Sequence, residues 1–342
     1  MAFAFGKSHI PYDMFDVERS ADEAKRFAKC ERIYHRGQEI AWDGREILPM
    51  LLEKHGGIQV DDRRKKALER IFAIIMWGEL AAWRIAAQLA DGLVPLEAKM
   101  AATSQAHDEA RHFYVMHDYL TEMGYVPARM DRAPQALLDT VLGTDNLAYK
   151  LIGMQLLIEP LALTIFQTVR EADVEPVLTE LMTYYERDEA RHVGLGMQYL
   201  PTLMKDWNRR QVSAMLTYQV RLMYWALMEL KLLEKELQIL GIDSRMVIER
   251  GRRKQLAVLK TAFDALGIEL DRNRNIATMT MNMVIELLVP PVDGDRSVRG
   301  RLSAAWNALR QRPPEIEAHD LAVHHSHAIK TARGHIAQAE GA

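Results

Sequence analysis

The sequence predicts an all-α fold centred on a four-helix bundle, and three observations carry that expectation. Ala, Leu, Met, Glu, Lys and Arg dominate the 342 residues, and strand-like alternation is scarce. Four long helical segments, roughly 63–90, 95–123, 144–171 and 174–200, are separated by breaks written in Gly and Pro: ADGLVP, MGYVPARMDRAP and READVEP. The pentapeptide DEARH occurs twice, at Asp108–His112 and Asp188–His192, once in the second segment and once in the fourth.

Taken in order, residues 1–62 read as a helical lead-in, with a helical piece around Ser20–Trp42 and a loop signal at His55–Gly57. Residues 63–200 form the bundle, closed by the YLP break. Residues 201–311 supply further packing helices of the same domain. One region runs from Asn208 to Gly241, the next through Gly267, and a third covers Asn275–Leu288 before Pro290 and Pro291 stop it. The methionines of that third helix read as core packing. The basic cluster ERGRRK, Glu249–Lys254, reads as a solvated helix end. Residues 312–342 turn polar and read as a tail, His324, His325 and His327 included.

Composition narrows the function classes. Hydrophobic residues make up 49% and charged residues 27%, the balance of a globular protein, and a net charge of −3 gives no reason to expect nucleic acid as partner. Cys30 is the only cysteine, which rules out an intramolecular disulfide and a cysteine-ligated cluster, and it points to a reducing cytoplasm. The start lacks the apolar stretch of a signal peptide. No uninterrupted apolar run reaches the ~18 residues expected of a membrane span. The nearest, Leu151–Phe166, carries Glu159.

That glutamate belongs to a pattern. Glu79 sits in the apolar stretch IFAIIMWGELAAW, and Glu109 of the first DEARH follows it by 30 positions; Glu189 follows Glu159 by the same 30. The midpoint of each pair falls in a Gly/Pro break. Each pair therefore reads as a helical hairpin whose two acids stand at one height, about 22 Å from the turn. Within DEARH the Glu and His are three apart, on one helical face. Four carboxylates and two imidazoles then converge in a core. Unpaired, such a set is prohibitively costly to bury, and two divalent cations would balance it. One DEARH alone would be an ordinary charged face.

On these residues the chain resembles the ferritin-like di-iron carboxylate proteins, in the style of the oxygenase and ribonucleotide-reductase small-subunit branch. The resemblance covers about residues 65–200. It implies Glu79, Glu109, His112, Glu159, Glu189 and His192 as metal ligands. It also implies that Asp108 and Asp188 accept hydrogen bonds from ligand histidines, braced by Arg111 and Arg191. Tyr185, four residues before Glu189, stands where related N-oxygenases carry an additional histidine ligand. Met116 stands where radical-storing subunits carry tyrosine, so neither a third histidine nor a stored radical is expected. Tyr185 and Thr164 are the candidate site-lining residues beyond the ligands, and Glu186 faces the same way. Pro160, directly after Glu159, predicts a kink or local unwinding.

The resemblance implies an O2-activating di-iron oxidoreductase, with two Fe ions or a mixed Mn/Fe pair. The expected reaction is hydroxylation, desaturation or N-oxygenation of a small, largely apolar substrate. Its electrons would come from an external donor such as a ferredoxin or a reductase, because no flavin, nicotinamide or iron–sulfur motif is present. A homodimer is expected. A ferritin- or rubrerythrin-like role in iron or peroxide handling is the alternative.

Overall fold

The computed structural model describes residues 10–11, 14, 17–125, 127–264, 276–291 and 294–309. The reading of 312–342 as a polar tail, with its histidines, lies outside them. Among the described residues every regular element is a helix.

The bundle is built from α3 (Asp62–Gly92), α4 (Leu96–Glu122), α7 (Glu159–Ala172) and α8 (Pro176–Met204). Their ends follow local chemistry. Asp61 caps α3 by accepting from the Arg63 and Arg64 amides, and Glu175 caps α8 by accepting from Val177 and Leu178, with Pro176 at the first helical position. The α3–α4 and α7–α8 hairpins pack through α4 against α8, so the two DEARH helices adjoin each other. Leu68, Phe72, Tyr119, Leu120, Phe166, Leu181 and Tyr185 are among the buried side chains that fill one end of the bundle, and Ile85, Leu89, Leu151, Leu156 and Leu195 fill the other. The charged cluster sits between these two apolar masses.

The third bundle helix is composite. α6 (Leu147–Gly153) runs into a π turn, Met154–Ile158, before α7 begins. The Glu159 amide donates to the Met154 carbonyl, five residues back. Pro160 cannot donate at all, and the wide turn lets the helix pass its ring. The local unwinding expected from Pro160 is thus a π turn on its N-terminal side.

Outside the bundle, α1 (Val17–Glu39) and α2 (Gly44–His55) lie over α4 and α8. α5 (Arg132–Leu142) sits between α3 and α9 (Arg209–Leu232). A short α10 (Glu234–Ile239) leads to α11 (Ser244–Asp264), which packs on α7 and α8, and α12 (Ile276–Leu288) packs on α9 and on α13 (Val298–Ala308). The ERGRRK cluster does not end a helix, contrary to expectation. It lies within α11, where Lys254 is buried and donates to Gln167, and Arg250 pairs with Glu171 at 2.6 Å. Met281 is core, packed with Ile285 and Val289.

Two helical runs, Asp62–Gly92 and Leu147–Ala172, are long and apolar enough to cross a membrane by length and composition alone. Their most apolar windows are 61% and 78% buried inside the protein, which accounts for that hydropathy without lipid.

Candidate metal centre

All six expected ligands meet at the centre of the bundle, and each is at most 5% exposed. Their donor atoms fall into two overlapping groups, within each of which the atoms lie no more than 4.8 Å apart. Glu79, Glu109, His112 and Glu189 form one; Glu109, Glu159, Glu189 and His192 form the other. Glu109 and Glu189 belong to both, so these two acids stand between the positions that two ions would take.

The imidazoles are oriented by their far nitrogens. His112 Nε2 lies 3.3 Å from Asp188 Oδ2, and His192 Nε2 lies 3.3 Å from Asp108 Oδ2. Each histidine therefore meets the aspartate of the other DEARH copy. The arginines close the lattice: Arg111 donates to Asp108 (2.5 Å) and Asp188 (2.8 Å), and Arg191 donates to Asp188 (2.8 Å) and Asp108 (2.6 Å). With the Nε2 atoms so engaged, both Nδ1 atoms turn inward. His192 Nδ1 is 2.9 Å from Glu189 and 3.0 Å from Glu109; His112 Nδ1 is 3.0 Å from Glu189 Oε1 and 3.4 Å from Glu79.

Charge separates the carboxyls into two kinds. Burial pushes Glu79 and Glu159 well above the usual carboxylate range, and for Glu159 the neighbouring Glu189 and Glu109 push the same way. Asp108 and Asp188 are equally buried, yet hydrogen bonds from histidine and the arginine charges outweigh that burial and hold them low. Burial opposes charge on His112 and His192, but the surrounding carboxylates raise both imidazoles well above their ordinary value.

The test of fit for metal lies in atoms left without partners. Glu109 Oε2, Glu189 Oε1 and His112 Nδ1 are fully buried and make no aligned hydrogen bond. Native cores rarely leave such atoms unsatisfied, and here all three belong to the same ligand group. Hard carboxylate oxygens with one imidazole per position suit first-row divalent ions.

Several contributors were not apparent from the sequence. Trp42, in the turn after α1, donates from Nε1 to Asp188 at 2.7 Å, and the Arg111 guanidinium lies 4.8 Å over its ring. Gln105 donates to both Glu109 (3.0 Å) and Glu159 (2.9 Å), and accepts from Gln155 at 3.0 Å. One signal was available: Gln105 and Gln155 each precede a candidate ligand glutamate by four residues, about one helical turn.

The remaining candidates are placed as follows. The Tyr185 ring stacks on His112 with centroids 4.3 Å apart, and its hydroxyl donates to the His112 carbonyl at 2.6 Å. The Thr164 hydroxyl donates to the Pro160 carbonyl at 2.7 Å, and its side chain lies against Gly251 of α11. Glu186 turns to Arg170 at 2.7 Å rather than into the cluster.

No family model matches the chain, and no curated protein matches it. Solved structures do. An R2-like ligand-binding oxidase with an aerobically reconstituted metal cofactor after photoconversion is 18% identical, with a TM-score of 0.53. A point mutant of an R2-like ligand-binding oxidase with an aerobically reconstituted Mn/Fe cofactor is 16% identical, with a TM-score of 0.52. Each likeness covers 70% of this chain and 92% of the other. The chain has the ferritin-like, R2-like helical fold of these oxidases, with its buried carboxylate–histidine cluster at the centre of the bundle.

Proposed function

We propose that this protein is a dinuclear metal oxidase that activates O2, with Glu79, Glu109, His112 and Glu189 holding one ion and Glu109, Glu159, Glu189 and His192 the other. One observation carries the reading: two four-residue groups of candidate ligands share two glutamates, and three inward atoms of the first group, Glu109 Oε2, Glu189 Oε1 and His112 Nδ1, are buried without a hydrogen-bond partner. Two Fe ions, or one Mn and one Fe, are the proposed pair. When bound, such ions supply the electron transfer to O2 that no side chain can.

The chain's own residues supply orientation and dryness. Asp108 and Asp188 fix which imidazole nitrogen faces inward, and Arg111 and Arg191 keep those aspartates charged. Tyr185 holds the His112 ring in plane, and Thr164 braces the carbonyl at Pro160. Both are proposed as positioning residues. The apolar masses on either side keep bulk water from the carboxylates.

The substrate is proposed to be small and largely apolar, because a cavity beside the cluster is lined by Glu79 and Glu159 together with Ile74, Ile75, Leu137, Ile158 and Ile165. The reducing electrons are proposed to come from a separate protein. A cytoplasmic setting fits the free, buried Cys30.

The deciding experiment is iron and O2 stoichiometry. Protein given excess Fe(II) should retain about two ions per chain and consume O2 steadily only with a reductant, faster when an apolar substrate is added. Retention of hundreds of irons per assembly, as mineral, would instead establish a storage role.

A further inference from the structure

The cavity beside the cluster contains a third acid. Glu229, on α9, lines it together with Glu79 and Glu159, is 7% exposed, and belongs to neither group of candidate ligands. Among the described residues its carboxyl makes no hydrogen bond and no ion pair. Its buried α9 neighbours Ala226, Leu227 and Leu230 are apolar core residues. A leucine at this position would serve packing better, since an unpaired buried carboxyl is a net cost to the fold.

The position makes sense for recognition. A carboxyl in an apolar cavity is best satisfied by a cationic N–H donor, which gives a stronger hydrogen bond than a neutral hydroxyl. In its ionised form it also repels a carboxylate brought into the same space. Much of the remaining lining is hydrocarbon, including Ile74, Ile75, Ile158, Leu161 and Ile165. A molecule with one basic nitrogen and an apolar body fits both features, nitrogen at Glu229 and hydrocarbon directed toward Glu79 and Glu159.

We infer that the cavity selects apolar amines, with Glu229 as the residue that seats the amine nitrogen. The inference rests on the reading of this cavity as the substrate site of a dinuclear oxidase, and it names the class of substrate that site takes.

The test is equilibrium binding by calorimetry at pH ~9, where the Glu229 carboxyl is ionised and an alkylamine is still a cation, under anaerobic conditions, to the full chain loaded with Fe(II). The probes are hexylamine, hexanol and hexanoate, offered to the unmodified protein and to Glu229→Gln. The unmodified protein should bind hexylamine about tenfold or more tightly than hexanol, a difference of about 1.4 kcal/mol, and hexanoate least. Glu229→Gln should reduce the amine preference to about twofold. Equal binding of hexanol or hexanoate overturns the inference, as does an amine preference that survives in Glu229→Gln, which would indicate nitrogen on the metal. If Glu229→Gln fails to fold, the ranking in the unmodified protein decides alone. An amine preference without amine-stimulated O2 consumption would leave this selectivity standing and refute the oxidase reading. Stimulation by all three probes alike would do the reverse.

Discussion

The imidazole of His112 is held by the carboxylate of Asp188, 76 residues away, rather than by Asp108 of its own DEARH. His192 is held by Asp108 in the mirror arrangement. Each copy of the repeat thus orients the ligand of the other, so loss of one aspartate should be felt at the metal position fed by the opposite helix.

Asp188→Asn should keep both metal positions but weaken that of His112, by roughly 10–100-fold in affinity. Trp42→Phe removes a donor to Asp188 only and should weaken the same position less. Competition titration with a chelator measures both. Equal weakening at the two positions in Asp188→Asn would contradict the crossed arrangement.

Glu109 and Glu189 each stand in both ligand groups, whereas Glu79 and Glu159 stand in one each. Glu109→Ala or Glu189→Ala should therefore abolish stable binding of the pair. Glu79→Ala or Glu159→Ala should leave close to one ion per chain. Elemental analysis of the purified variants gives the counts. Removing metal from the unmodified protein should lower Tm, because ligand present at ~1,000 times Kd contributes about 4 kcal/mol to the folded state.

Two glycines should respond in opposite directions to alanine. A Cβ at Gly78 of α3 would meet no atom within 4 Å, so Gly78→Ala should raise stability by up to ~1 kcal/mol through helix propensity. A Cβ at Gly196 would come within 2.7 Å of Gln155 Cβ and of Leu156 Cδ2, where α8 approaches the π turn. Gly196→Ala should cost about 1–3 kcal/mol. Thermal melts compare the two directly.

Burial, with a smaller contribution from Asp131, pushes the Glu229 carboxyl up to about 8. A raised folded value means that stability from the neutral acid is complete below the unfolded value of ~4.3 and is lost as pH rises through about 8. Glu229→Gln should match the unmodified protein near pH ~4 and exceed it at pH ~9 by a few kcal/mol, since each tenfold difference in proton affinity between the folded and unfolded states is worth about 1.4 kcal/mol. Denaturant titrations at the two pH values would show whether the gap opens. A constant gap would mean that the Glu229 carboxyl titrates alike in the folded and unfolded states.

The six clustered positions were legible because Glu79 and Glu159 each interrupt an apolar helix and each stands 30 residues before the glutamate of a DEARH copy. Periodicity could not reveal Trp42, which reaches Asp188 from a turn 146 residues away. α5 escaped because its Pro134 resembles a helix breaker. At the third helical position that proline lacks only an amide that would have had no partner within the helix. α2 tolerates Pro49 in its interior, and the HGG signal proved to be its left-handed cap at Gly56, φ 69°. ERGRRK misled for the converse reason: a basic run reads as solvated unless tertiary partners such as Glu171 and Gln167 are known. Glu229 lay in a segment whose other residues pack normally, and only the cavity distinguishes it.

The π turn ahead of Glu159 has no counterpart ahead of Glu79, which lies within the single uninterrupted helix α3. Trp42 likewise reaches only Asp188, and the Gln105 amide reaches Glu159 as well as Glu109. Two ions of the same element placed here would therefore not be equivalent. Their local fields, ligand mobility and redox potentials would differ, and a spectroscopic probe of the metals should resolve two signals of equal weight where a symmetric site would give one.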